Sequence, residues 1–449
     1  MSDLKDSLFR KKKNIWLKAD KENIFDFAQE YKKFLHICKT ERETVKFVSE
    51  YFLKHKRDRE FMLINRNKNV ALVRLSEGFG MRMVTSHIDT PRIDLKQNPL
   101  FEDSGFGLFH THYYGGIKKY QWLNIPISLH GFLIKPGGDI VEINIGEDAD
   151  DPVFVIPDLL PHLSKKAVDE KQVKEAFDAN KLNLICGSLP YSEEEKDQIK
   201  LNILNYLHEK YKIVEEDFIS AEIQAVPAFE PRDIGFDRGL IGAYGQDDRI
   251  CAFTSLKAFF DIDVSDKTQV VLMVDKEEIG SEGNTSAQSS FIYEIAVEIL
   301  KRKGMEPTFI NILNFLKNSQ CLSADVSAAV NPMYKDVHEA DNAAFINNGI
   351  VITKFTGHGG KYSANDANTE FVAKIRDVFN KDKVLWQVAE LGKVDEGGGG
   401  TIAKYISKHN IETLDCGPAL ISMHSPFEIS SKADLYETYK AYKSFMAMK

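Results

Sequence analysis

A chain of 449 residues, 43% hydrophobic and 28% charged, is long enough for two or three domains and has the balance of an ordinary globular protein. Its 58 basic and 67 acidic residues leave a formal charge of −9, which excludes the basic footprint of a nucleic-acid binder. No apolar run approaches the ~20 residues of a membrane span, Lys11, Lys12 and Lys13 precede no secretory h-region, and the five cysteines are scattered without a C-x-x-C pair. No membrane partner is expected, and the compartment reads as cytoplasmic and reducing.

Apolar residues at helical spacing predict helices over residues 20–56, carried by Ile24, Phe27, Tyr31, Phe34 and Leu35, then Val45, Val48 and Phe52. Residues 61–75 read as a hairpin turned at Asn65, Asn67 and Asn69, and residues 81–86 as a buried strand. From about 95 to 233 the texture changes. Residues 127–145 alternate around Pro136-Gly137-Gly138-Asp139, charge-rich helices follow near 165–180 and 192–212, and a strand runs over 218–226. After Gly239 helices (250–260, 290–303, 430–449) alternate with strands (268–274, 320–324, 350–354, 384–388), and 411–423 holds the last strands. That alternation predicts an α/β fold, a mostly parallel sheet with helices on both faces. Residues 1–94 and 234–449 are read as the host domain, interrupted by a β-rich insertion over 95–233. Phe106, Phe109, Tyr113, Tyr114 and Trp122 are expected to be exposed on the insertion, as suits a subunit interface.

Five polar clusters follow apolar strands: Ser86-His87-Ile88-Asp89, Gln246-Asp247-Asp248, Asp275-Lys276-Glu277-Glu278, Ser323-Ala324-Asp325 and Met423-His424-Ser425. Open α/β sheets bind ligands outside the carboxyl ends of their strands. Histidine with Asp and Glu, and no cysteine, is the donor set of a catalytic zinc or similar divalent ion. His87 and Asp89 share a strand face, so Asp89 can accept the outer ring N–H of His87 and fix its tautomer. Glu277 and Glu278 follow so apolar a strand, Val270 to Val274, that burying them needs a cation. Adjacent glutamates can divide the work, one ligating and one handling protons. Against each cluster stands a plain reading: a turn histidine, or acids favouring the first turn of a helix. His110 and His112 share a strand face but lie in an aromatic, glycine-rich stretch. His358 and Lys361 stand in a loop that lines a substrate pocket or is merely exposed. The run Gly397 to Gly400 reads as the opening of a helix.

Taken together, the ordered motifs resemble the aspartyl aminopeptidase and vacuolar aminopeptidase I family of dinuclear metallo-aminopeptidases, over essentially the whole chain. The resemblance implies an αβα sandwich catalytic domain with an inserted β-rich dimerisation domain, assembled as a homo-oligomeric dodecamer. It implies two divalent ions per subunit, zinc foremost with cobalt or manganese as alternatives, and peptides with a free N-terminus as substrates. In S-H-I-D-T-P, His87 resembles a ligand of one ion, oriented by Asp89. Asp247 in G-Q-D-D-R resembles the carboxylate bridging both ions, followed by a cis peptide. In D-K-E-E-I-G-S, Glu277 resembles the general base and Glu278 a ligand. Asp325 in S-A-D-V-S resembles a second ligand on the His87 ion, and His424 in M-H-S-P the histidine of the other. His162 in L-P-H-L resembles a residue reaching a neighbouring subunit's active site. His358 and Lys361 are read as substrate-binding. Two alternatives stay open: another dinuclear amide hydrolase, a carboxypeptidase or deacylase, or a metal-stabilised assembly protein without turnover.

Overall fold

The computed structural model describes residues 4, 8–9, 14–17, 19–193, 196–263 and 265–449; the basic run at 11–13 lies outside them. The chain divides into two compact units, one formed by residues 1–89, 231–423 and 427–449, the other by 90–230 and 424–426.

In the first unit an eight-stranded mixed sheet is built from β1 (Glu60–Asn65), β2 (Asn69–Arg74), β3 (Met81–His87), β4 (Thr268–Val274), β5 (Gln320–Ser323), β6 (Ile350–Thr353), β7 (Trp386–Val388) and β8 (Glu412–Gly417). Their order across the sheet is β1-β2-β4-β3-β5-β8-β6-β7. The four central strands β4, β3, β5 and β8 are mutually parallel, with Val274 beside His87 and Ser323 beside Thr85. Helices α1 (Lys21–Ile37), α2 (Glu41–His55), α3 (Gln246–Phe260), α4 (Phe291–Arg302), α5 (Phe309–Lys317), α6 (Thr369–Lys381) and α7 (Lys432–Met446) cover the two faces.

Alternate residues of one strand enter different cores. Val70, Leu72, Val271 and Met273 join α1, α2, α3, α6 and α7 through Phe34, Phe52, Phe259, Phe379 and Phe445. Ala71, Val73, Val270, Leu272 and Val274 join α4 and α5 through Ile295, Ile299 and Phe315. Both faces are therefore dry, which is why these strands read as unbroken apolar runs and not as alternating ones. This is the αβα sandwich. A second, five-stranded sheet packs Arg232–Ile234, Leu240–Ala243, Glu428–Ser431, Ala419–Ile421 and Ser327–Ala328 side by side.

The second unit is a six-stranded sheet, antiparallel at every pairing, drawn from residues 92–227. Its first strand, Arg92–Asp103, begins just beyond the unit's boundary at Thr90. Two of the aromatics expected at its surface are inside it. Phe109 is 3% exposed and Trp122 fully buried, whereas Phe106 and Tyr113 are each 42% exposed, and Tyr114 lies under the guanidinium of Arg92. Phe109 points inward because it packs against Phe154 and Phe218. Among the described residues no helix is long and apolar enough to cross a membrane.

Two local expectations shift. The helix predicted from 192 begins at Gln198, behind an Asp197 in the left-handed region. The four glycines do not open a helix: Gly398 and Gly399 pair with His358 and Gly357 in a short ladder, and the helical turn starts at Ala403. His110 stacks on Phe101 at 3.8 Å between ring centres.

Candidate metal centre

The carboxyl ends of β3, β4 and β5 lie level with one another, so the polar residues that follow them meet above the sheet. His87 ends β3 and is 1% exposed. Its Nδ1–H donates to the Asp89 carbonyl at 3.0 Å, with Asp89 Oδ1 at 3.4 Å. The other ring nitrogen, Nε2, faces Asp247 Oδ1 at 3.1 Å and Asp325 Oδ1 at 3.9 Å. Burial disfavours the charged imidazole, but the bonds to Asp247 and Asp89 outweigh it and hold the ring's pKa well above its usual value.

Asp89, fully buried, has a second task that its position in sequence does not announce. Its two carboxylate oxygens accept the backbone N–H groups of Glu277 and Glu278, at 3.0 and 3.1 Å. The turn bearing both glutamates is thereby tied to the end of β3. Glu277 opens a single 3₁₀ turn to Ile279, after a Lys276 held at φ +70°. One ligand atom from each of His87, Glu277 and Glu278 falls within 4.8 Å of the others, as does one from each of His87, Asp248 and Asp325.

Asp247 and Asp248 occupy the first turn of α3 with non-helical dihedrals, joined by a cis peptide. Burial pushes the Asp248 carboxyl well up, opposed by His87 and reinforced by Asp325 and Asp247. Neither of its oxygens finds a hydrogen-bond partner among the described residues. Asp325 is likewise pushed well up, by burial first, with His87 opposing and Glu277 and Asp247 reinforcing. At 417 only glycine fits, because a Cβ there would stand 2.0 Å from the Asp325 carbonyl oxygen. Beneath, Asp415 accepts the Thr401 hydroxyl at 2.7 Å, and burial raises its carboxyl to about 6.

The donors present fit divalent ions. Hard carboxylate oxygens and one imidazole nitrogen converge, no thiolate is among them, and the unsatisfied oxygens of Asp248 sit at full burial. Without a cation such a crowd of acids can be dry only by keeping protons, which is the direction in which their pKa values move.

His424, at φ +65°, belongs to the second unit, where its Nδ1–H donates to the Gly116 carbonyl at 3.1 Å. His162 sits in a one-turn helix, Pro161–Ser164, of the same unit and is exposed. His358 and Lys361 are exposed in the first unit. Lys361 pairs with Asp366 at 3.1 Å and lies over the Phe355 ring, beside a cavity of about 470 Å³ lined also by Leu391, Val394 and several glycines. Sequence reading passed over Glu428, fully buried, whose carboxylate accepts the backbone N–H of Gln246 and of Asp247. Only its place four residues after His424 marked it.

The profile of the family described as aminopeptidase I zinc metalloprotease (M18) matches residues 30–446. A probable M18 family aminopeptidase 1 of Thermotoga maritima is 50% identical over 448 residues, spanning 97% of this chain and 98% of its own. The crystal structure of an M18-family aminopeptidase from Thermotoga maritima superposes with a TM-score of 0.94 at 48% identity, covering 98% of this chain and 100% of that one. The mApe1 dodecamer of S. cerevisiae shares the fold, with a TM-score of 0.75 at 21% identity over 94% of this chain and 97% of that one.

Proposed function

This chain belongs to the aminopeptidase I zinc metalloprotease (M18) family, a family of metallopeptidase hydrolases, and from that premise we propose a dinuclear aminopeptidase in which Glu277 is the general base. The observation that carries the reading is the meeting of buried His87 and Asp247 with half-buried Asp325, Glu277 and Glu278 at the carboxyl ends of three parallel strands.

In this reading His87, Asp325, Asp247, Glu278 and His424 would hold the ions. When bound, two divalent ions supply Lewis acidity at the scissile carbonyl and acidify the attacking water. Zinc is the family's metal; cobalt or manganese suits the same donors. Glu277 takes the proton from the attacking water and returns it to the leaving amine. Asp89 does not meet the substrate. It holds the ring of His87 and the backbone of both glutamates, so base and ligand keep a fixed spacing. His358 and Lys361 line the substrate side. His162 serves a neighbouring subunit's site in a cytoplasmic homo-oligomer, a dodecamer as in the yeast mApe1 structure.

The test is a panel of free and N-acetylated peptides, run with zinc, cobalt and manganese. Cleavage of the free peptides alone is expected. Cleavage of N-acetylated peptides would instead favour a carboxypeptidase or deacylase, and cleavage of neither, a metal-stabilised assembly.

A further inference from the structure

Helix α3 begins without a cap of its own. Its N-cap residue is Gly245, in the left-handed region at φ +71°, so no side chain is available to receive the first helical N–H groups. A side chain there would be strained at that φ and would have to displace the Arg249 guanidinium, whose Nη1 would stand 1.8 Å from its Cβ. The missing acceptor comes from a strand 182 residues away. Glu428 Oε2 receives the N–H of Gln246 at 2.6 Å and that of Asp247 at 3.1 Å. The Glu428 carbonyl also receives the Gln246 side-chain amide at 2.7 Å, and Ser430 donates its hydroxyl to Gln246 Oε1 at 2.5 Å. From the other side Arg249 donates to the Gly245 carbonyl at 3.3 Å and to the Lys39 carbonyl. The turn is gripped on both flanks, and Asp247 is its exit.

We propose that Glu428 is a positioning residue for the metal centre, capping α3 from a neighbouring strand so that the Asp247 carboxylate is held at the place where it ligates. The inference rests on the reading of Asp247 as a ligand. Two features make the Glu428 contact more than a helix cap. It fixes the backbone N–H of the ligand residue itself, at a point where Asp247 has the non-helical dihedrals φ −81° and ψ 107°. It also anchors that residue to the segment that carries His424 four positions earlier. Groups that orient a ligand from behind are commonly worth ~10–100-fold in metal affinity.

The experiment measures zinc retained by the full chain against rising EDTA, by elemental analysis, beside kcat and KM on a free-amine peptide. Glu428→Ala should release zinc at ~10–100-fold lower chelator and lose kcat in step, with KM changed less than about twofold. Glu428→Gln keeps an oxygen able to receive both N–H groups and should restore retention to within a few-fold of the parent. Glu428→Asp, one methylene short, covers the case in which the alanine variant does not fold; it should retain zinc more weakly than the glutamine variant. Parent-like retention and kcat in Glu428→Ala or Glu428→Asp overturns the proposal. So does a glutamine variant as impaired as the alanine one. Asp247→Asn is the control: if it too keeps zinc, the ligand reading fails, and if it alone loses zinc, only the role of Glu428 does.

Discussion

Asp89 accepts the backbone N–H groups of Glu277 and Glu278, and Asp434, in the first turn of α7, accepts those of Asn347 and Gly349. Both carboxylates are fully buried, and each staples a turn to a regular element. Around Asp89 stand His87, two glutamates and further acids. Among the described residues Glu437 is the one charge that acts on Asp434, and the turn it holds receives Trp16 and Ser431 on the Asn347 side chain, Ile15 on the Asn347 carbonyl and Gln387 on the Gly349 carbonyl. On the function proposed above, the same pair of hydrogen bonds is a metal-site brace in one place and a structural latch in the other. What decides the difference is the company of donors above the turn, not the geometry of the acceptor.

The comparison is sharpened first at the glutamates that Asp89 holds. Glu277→Gln should keep its zinc while kcat falls by about 10²–10⁴-fold, the usual worth of a positioned base. Glu278→Gln should lose zinc and turnover together, since an amide is a poor replacement for a carboxylate at a divalent ion. Elemental analysis beside kinetics reads both, and metal loss at 277 with retention at 278 would reverse the roles. Next in size, Asp89→Asn turns an amide N–H toward one of two backbone N–H groups. Turnover should drop by roughly 10–100-fold with KM little altered; parent-like turnover would reduce Asp89 to the same class as Asp434.

The smallest effect belongs to Asp434 and appears in stability, not activity. Burial raises its carboxyl to about 7, against the pull of the Gly349 and Asn347 N–H groups and with Glu437 adding to the rise. An unfolded aspartate titrates near ~3.9. The folded state therefore binds the proton more tightly, and the stability this supplies is complete below about pH 4 and lost as pH rises through about 7. Between pH 5 and 8 the loss from this group is on the order of 2–3 kcal/mol. Asp434→Asn should flatten that part of the slope. Urea midpoints at pH 5 and pH 8 measure it, and an unchanged difference between the two pH values would refute the assignment.

The residues that can be read along one strand and its following turn were legible in the sequence. His87, the acids after β4 and Asp325 each close an apolar run, so their place at a strand end followed from the run itself. The insertion showed as a change of periodicity. What could not be read are acceptors whose partners lie far away in the chain: Glu428 beneath Asp247, Asp415 under the Thr401 hydroxyl, and the carboxylate of Asp89 under the glutamate turn. Asp89 was expected to use that carboxylate on His87, yet the ring N–H lies closer to its carbonyl. A two-residue spacing predicts a shared face but does not choose between two oxygens of the same residue. Phe109 failed for a related reason, because an aromatic residue in a glycine-rich strand carries no mark of which side of an antiparallel sheet it will take, and Trp122 ends a short 3₁₀ turn, Lys119–Trp122, that has no strand pattern to place it.

The order of strands also sets a timetable for synthesis. β3 lies between β4 and β5, so the strand ending in His87 leaves the ribosome with neither neighbour made. At about 5–20 residues per second, reaching the end of β4 takes roughly 10–40 s more. The six-stranded sheet, by contrast, finds every partner within residues 92–227 and can close during that wait. A nascent chain arrested before residue 268 should therefore resist limited proteolysis over 92–227 while Met81–His87 is cut. Protection of both would mean that β3 finds a temporary partner before its permanent one has been translated.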